Sequence, residues 1–126
     1  MIVTKRIYEP VGERDGYRVL IDRLWPRGVS KTAAQLDEWA KAIAPSNELR
    51  HWYGHDPAKW EEFQRRYRQE LDNAEAQAVL EALAKRARRG RVTLLYSTKS
   101  SEISNAQALA HILEHVGKRT NAAAQR

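Results

Sequence analysis

Apolar side chains along this chain fall into short continuous blocks and into stripes that recur every three or four residues. The blocks come first. Residues 2–8, Ile-Val-Thr-Lys-Arg-Ile-Tyr, are rich in β-branched and aromatic types and stop before Pro10, as a strand does. Residues 17–24 carry the unbroken apolar centre Val19-Leu20-Ile21, and residues 92–96, Val-Thr-Leu-Leu-Tyr, form a second such block. Blocks of this kind predict strands covered on both faces, the habit of parallel sheets. Pro26 and Gly28 end the earlier one, because neither continues a central strand comfortably.

The stripes predict helices. Ser30 is a good N-cap for a helix in which Ala33, Leu36, Trp39, Ala40 and Ile43 recur at helical spacing before Pro45. A short helix follows Ser46 and stops at Gly54. Asp56-Pro57 supplies a cap and a proline at the first helical position, opening a helix with Trp60, Phe63, Tyr67 and Leu71 on one face. Val79, Leu80, Leu83 and Ala87 mark another, closed by Gly90. Ser104 and Gln107 fit a capping box ahead of a last helix that turns Leu109, Ile112, Leu113 and Val116 inward. Strands separated by helices imply crossover connections, so the expected fold is α/β: a small, mostly parallel sheet covered by helices, in one domain over residues 1–117. Residues 118–126 have nothing to bury, and a disordered tail is expected there.

Composition narrows the chemistry. With 126 residues the chain has room for one core. It contains no cysteine, which excludes disulfides, thiolate nucleophiles and cysteine-ligated metal centres. His51 with His55 and His111 with His115 have a spacing that can bind zinc. The second pair lies off the core stripe and lacks a third ligand, so neither a metal nor a cofactor is expected. No segment approaches the ~20 apolar residues needed to span a bilayer, and the amino terminus lacks the apolar core of a signal peptide. A cytoplasmic location away from membranes is therefore expected. The net charge of +6 favours an anionic partner, either a small phosphorylated compound or nucleic acid.

Ligands of parallel sheets bind beyond the carboxyl ends of the strands. Those ends are Asp22-Arg23-Leu24-Trp25-Pro26-Arg27-Gly28 and the hydroxyl-rich stretch from Ser97 through Asn105. In the reading that follows, Arg23 and Arg27 hold an anion, Trp25 stacks on a flat moiety, and Lys99 and Asn105 complete the far wall. Asp22, or His55 at its loop-to-helix junction, is the candidate proton carrier. The rival reading is a non-enzymatic nucleic-acid-binding module using helix arginines such as Arg65, Arg86 and Arg89. Against it, Glu61, Glu62, Glu70 and Glu81 interleave the basic runs as on a solvated helix surface.

The stretch from Tyr17 to Gly28, together with Trp39, Ala44-Pro45-Ser46, Leu49-Arg50, Trp52-Tyr53-Gly54-His55-Asp56-Pro57, Trp60, Phe63, Tyr67 and Leu94-Leu95-Tyr96, resembles the YeaO-like bacterial family. The resemblance runs from about Val3 to Val116. It implies a compact α/β domain of bacterial origin and, the family being a domain of unknown function, implies no particular reaction. Similar sequences carry acidic residues and a His or Asn pair in the loop before the last helix. Here that loop reads Ser100, Ser101, Glu102, Ile103, Ser104, Asn105, keeping Glu102 and Asn105. A catalytic role that needs the missing carboxylate or imidazole is therefore not implied for this chain.

Overall fold

A computed structural model describes the backbone of residues 1–99 and 104–124, and side chains through Val116. Four strands, β1 (Ile2–Arg6), β2 (Tyr17–Leu20), β3 (Glu38–Trp39) and β4 (Val92–Tyr96), form one sheet in the order β1-β4-β2-β3. Every neighbouring pair is parallel; Arg6 lies opposite Tyr96, and Leu20 opposite Leu95. The helices are α1 (Lys31–Ala34), α2 (Asn47–Tyr53), α3 (Trp60–Glu70), α4 (Ala74–Arg89) and α5 (Asn105–Ala124). The α/β fold with a small parallel sheet is thus the one the hydrophobic pattern predicts.

Alternation along the central strands divides the interior in two. Val19, Val92, Leu94 and Tyr96 enter the larger core, which also holds Phe63 and Tyr67 of α3, Leu80 and Leu83 of α4, and Leu109 and Leu113 of α5. Leu20 and Leu95 point the other way, into a smaller core with Ile7 and Ala34 that Trp25, Leu36 and Trp39 cover. In the larger core the rings of Tyr53 and Phe63 stack with centroids 4.2 Å apart. The Tyr67 hydroxyl, fully buried, donates to the Ile43 carbonyl. Burial drives its pKa well above 10, so it stays a donor.

One stripe misleads. The run from Ala33 to Ile43 is not a single helix: α1 lasts one turn and ends at Gln35, whose φ of 45° is left-handed. The chain then extends as β3 along the outer edge of β2 before a 3₁₀ turn at Lys41–Ile43. The ladder of β2 explains the outcome. Asp37 N–H donates to Arg18 O at 2.9 Å, the Arg18 N–H donates to the Asp37 carboxylate at 2.8 Å, and Ala40 N–H donates to Leu20 O at 2.9 Å. An otherwise open sheet edge is closed in this way, while Leu36 and Trp39 still reach the smaller core. The other boundaries shift modestly. β1 ends two residues before Tyr8, β2 ends at Leu20 rather than Leu24, and α5 continues past Gly117 to Ala124.

A buried polar knot fixes the connection between β1 and β2. Arg18, 4% exposed, pairs with Asp15 and donates from Nη2 to Ala34 O at 2.8 Å, while Lys5 reaches Asp15 at 3.1 Å. Burial pushes the Asp15 pKa up, but the Gly12 N–H, Lys5 and Arg18 outweigh it and hold the carboxyl below its ordinary 3.8. A folded-state pKa below the unfolded one stabilises the fold above the unfolded value; that contribution is lost as pH falls from there through the folded value. Urea unfolding midpoints should accordingly drop between about pH 5 and about pH 3, with a shallower drop in Asp15→Asn.

Gly16 has φ 67°, and a Cβ there would lie 2.2 Å from Arg91 O, the carbonyl that accepts from Tyr17 N–H. Gly28 has φ 79° and open space around it. Gly28→Ala should cost about 1 kcal/mol, the left-handed penalty alone, and Gly16→Ala more than twice that, measured by chemical denaturation.

Candidate functional site

The carboxyl ends of β1, β4 and β2 lie side by side at Arg6, Tyr96 and Leu20. Ile21 N–H donates to Leu95 O at 3.1 Å, which carries the chain one residue further and delivers Asp22 to the mouth of the sheet. Asp22 is 2% exposed. Its Oδ2 accepts from the Ser97 N–H and the Ser97 hydroxyl, both at 2.9 Å, and its Oδ1 accepts from Asn105 Nδ2 at 3.0 Å. The same Asn105 amide donates to Ile21 O at 3.2 Å. One carboxylate therefore joins the end of β2, the loop after β4 and the first residue of α5.

The two segments predicted to converge do meet, but through Asp22 and not through the Trp25 turn. Trp25 Nε1–H donates to Val29 O at 2.6 Å, and its ring sits edge-on to Trp39 at 5.2 Å over the smaller core. Gly28 of the Pro26-Arg27-Gly28 turn is left-handed, and Trp25 lines neither of the hollows described next. Arg23 is exposed and donates from Nε to Pro45 O at 3.1 Å. Arg27 is exposed as well, its carbonyl accepting from the Tyr8 hydroxyl at 2.9 Å. Neither guanidinium lines the hollows described next.

Two adjoining hollows open at this edge. The first, about 620 Å³, is lined by Arg6, Tyr8, His55, Ser97, Thr98 and Lys99. The second, about 330 Å³, is lined by Leu24, Arg50, His51, Tyr53, His55 and Thr98, with Asn47, Phe63 and Asn105. His55 and Thr98 form the wall between them, Thr98 Oγ1 lying 3.2 Å from His55 Nε2. Arg6 props the loop after β4, donating from Nε to Thr98 O at 2.9 Å and from Nη2 to Ser97 O at 3.2 Å. Among the described residues no carboxylate lines either hollow.

Local sequence places His55 there. α2 stops at Gly54, whose N–H closes on Arg50 O, and Gly54 and His55 both adopt positive φ, 54° and 56°. A histidine in this conformation is uncommon, and such outliers gather where a site over-determines them. The kink also takes His55 off the helix that bears His51, so the spacing of that pair is not a helical one. His115 Nδ1 lies 2.9 Å from His111 O. Among the described residues no group of three or more histidines and carboxylates is arranged to hold a metal ion. Beside His55, burial, with a smaller contribution from Asp56, pushes the Tyr53 pKa up to about 12, which keeps that hydroxyl protonated. A larger groove of about 770 Å³, between α3 and α5, is lined by Arg65, Arg68, Leu71, His111 and Ile112 and does not share the strand ends.

Of the predicted residues, the mouth gathers Asp22, His55, Lys99 and Asn105; it does not gather Arg23, Trp25 and Arg27. Sequence reasoning missed Arg6 and Tyr8 and gave Arg50, one of the residues carrying the family resemblance, no role in a site. Arg6 was findable, because it is the last residue of the first strand and the rule of carboxyl ends applies to it equally.

The family described as the inactive DUF488-N3 subclade matches residues 1–126. The chain belongs to this YeaO-like family of unknown function. It is 43% identical over 109 residues to the uncharacterized protein YeaO of Escherichia coli (strain K12), covering 86% of this chain and 93% of that one. It is 42% identical over 108 residues to the uncharacterized protein Rv3073c of Mycobacterium tuberculosis (strain H37Rv), covering 86% and 89%. No solved structure matches it. Among the described residues no helix is long and apolar enough to cross a membrane. Ser100, Ser101, Glu102 and Ile103 of the loop before α5 lie outside the described residues. Asn105, at the end of that loop, is the α5 residue on Asp22.

Removing that carboxylate leaves the Ser97 N–H and the Asn105 amide without their acceptor, at a cost of about 1–3 kcal/mol for each group left unsatisfied. Asp22→Ala should therefore lower unfolding free energy by at least about 2 kcal/mol in urea, and Asp22→Asn by less.

Proposed function

We propose that the paired hollows at the carboxyl edge bind an anionic small molecule, phosphorylated or nucleotide-like, and hold it without turning it over. The observation that carries this reading is electrostatic: Arg6 and Lys99 in one hollow, Arg50 and His51 in the other, and His55 between them surround a space lined by no described carboxylate. Cations converging on a concave surface raise the local concentration of anions and bind them where water is partly excluded. The hydroxyls of Ser97 and Thr98 add donors suited to phosphate oxygens. Tyr53, Phe63 and Leu24 offer the smaller hollow an apolar wall for a flat, weakly polar moiety. Lys99 keeps the anion-holding role read from sequence, Arg6 and Arg50 take the place given to Arg23 and Arg27, and the aromatic surface is Tyr53 rather than Trp25.

The same geometry favours binding over catalysis. Asp22 is saturated by internal donors and closed to solvent, so of the two proton carriers read from the sequence only His55 faces the hollows, with His51 beside it in the smaller one. The family's description as an inactive subclade supports the same reading.

Thermal unfolding with inorganic phosphate and a panel of nucleoside monophosphates checks it. At concentrations about a hundredfold above Kd, one or more of these should raise Tm by several degrees. The rise should vanish in a Lys99→Ala, Arg50→Ala double variant and persist in an Arg23→Ala, Arg27→Ala one. An unmoved Tm throughout the panel, or the opposite ranking of the two variants, would contradict the reading.

A further inference from the structure

Residues 85–91, Lys-Arg-Ala-Arg-Arg-Gly-Arg, place five cations in seven positions. They finish α4 and lead into β4, and so lie at the amino edge of the sheet, the end of the strands opposite Arg6 and Ser97. Lys85, Arg86, Arg88 and Arg89 are exposed and Arg91 is half-buried. Lys85, Arg86 and Arg89 border a shallow hollow of about 460 Å³ with Tyr17, and the Arg86 guanidinium lies 3.9 Å over the Tyr17 ring. Gly16 against Arg91 and the bond from Tyr17 N–H to Arg91 O fix this surface to the sheet.

Two ordinary explanations account for too little of this charge. A helix carboxyl terminus attracts cations, but its dipole amounts to about half a unit charge, which one or two basic residues satisfy. Surface ion pairing explains the other basic run, where Arg65 and Arg66 both engage Glu62 and Arg66 also stacks on Trp52 at 4.0 Å. At the amino edge, among the described residues, Lys85, Arg86, Arg89 and Arg91 make no ion pair. Acids lie near: Glu81 one turn back, Glu38 held by the Tyr17 hydroxyl at 2.8 Å, and Glu114 on α5, which borders the same hollow as Arg88. None forms an ion pair with Lys85, Arg86, Arg89 or Arg91, and like charges on neighbouring turns repel one another in the free protein.

We propose that this amino-edge surface docks the phosphate backbone of duplex nucleic acid, without regard to base sequence. Dense cations on a rigid surface suit a polyanion whose condensed counterions are released on binding. Within residues 85–91 the apolar contribution is Ala87 alone, too little to bury against a membrane or in the apolar centre of a protein interface. The duplex is favoured over a single strand because Tyr17 has one face under Arg86 and its hydroxyl on Glu38, and offers no platform for an unstacked base. The surface is separate from the carboxyl-edge hollows and stands or falls independently of them.

Fluorescence anisotropy of a short labelled DNA duplex with the full chain, between about 50 and about 200 mM salt, tests the assignment. Affinity should fall steeply with salt. Lys85→Gln with Arg89→Gln should weaken low-salt binding at least about tenfold and lower the slope of log affinity against log salt by about two. Arg65→Gln with Arg68→Gln, and Lys99→Ala, should leave both within about twofold, with thermal melting confirming that every variant folds. Salt-independent binding, no binding to the duplex, a larger loss from the α3 pair, or equally tight binding to poly-glutamate or to anionic vesicles would each overturn the proposal.

Discussion

A single buried carboxylate holds the working edge of this protein together. Asp22 accepts from the backbone and hydroxyl of Ser97 and from Asn105, and so ties together three segments that are far apart in sequence. Charge-assisted bonds of this kind are among the stronger ones available to a small domain, and a buried carboxylate tolerates no shortfall of donors. The loop after β4 has its position because of Asp22 on one side and Arg6 on the other. Without that pair of anchors the wall formed by Thr98 and His55 would have no fixed place, and the two hollows would not be defined.

The parallel sheet also separates charge from charge. All strands point the same way, so loops that leave them form one rim and loops that enter them form the other. The leaving rim places Arg6 and Lys99 in a hollow, and the entering rim carries exposed cations on the last turn of α4 around a shallower one. Part of the net charge of +6 thus gathers at the two rims, the places of the two proposed binding surfaces. Between the two, Arg18 and Asp15 put charge to a structural use, a buried pair that with Lys5 fixes the connection between β1 and β2.

Much of the architecture was legible because period and burial agree. Val19-Leu20-Ile21 and residues 92–96 are unbroken apolar blocks and are central strands; the Trp60, Phe63, Tyr67 and Leu71 stripe is the inner face of α3 and the turn that ends it. β3 was not legible, because Leu36, Trp39 and Ala40 satisfy a helical spacing as well as they satisfy an edge strand over the smaller core. What decided between them was the hydrogen-bonding edge of β2, a partner that no local pattern reveals. The site divides similarly. Asp22 and Asn105 were placed at the mouth by the rule of strand ends, but their mutual bond, which makes them framework, depends on a long-range contact. Trp25 packs over the smaller core with its indole N–H on Val29 O and not beside the hollows, a placement that depends on a long-range contact with Trp39.

The central claim, that anions bind between His55 and the loop after β4 and not on the Trp25 turn, is open to direct observation by titrating the ¹⁵N-labelled protein with a nucleoside monophosphate. The backbone amides of Arg50, His55, Ser97 and Thr98 should shift together and saturate with one dissociation constant, while the Trp25 indole N–H, bonded to Val29 O, stays in place. A saturating shift of that indole signal with the four amides unmoved would contradict the account.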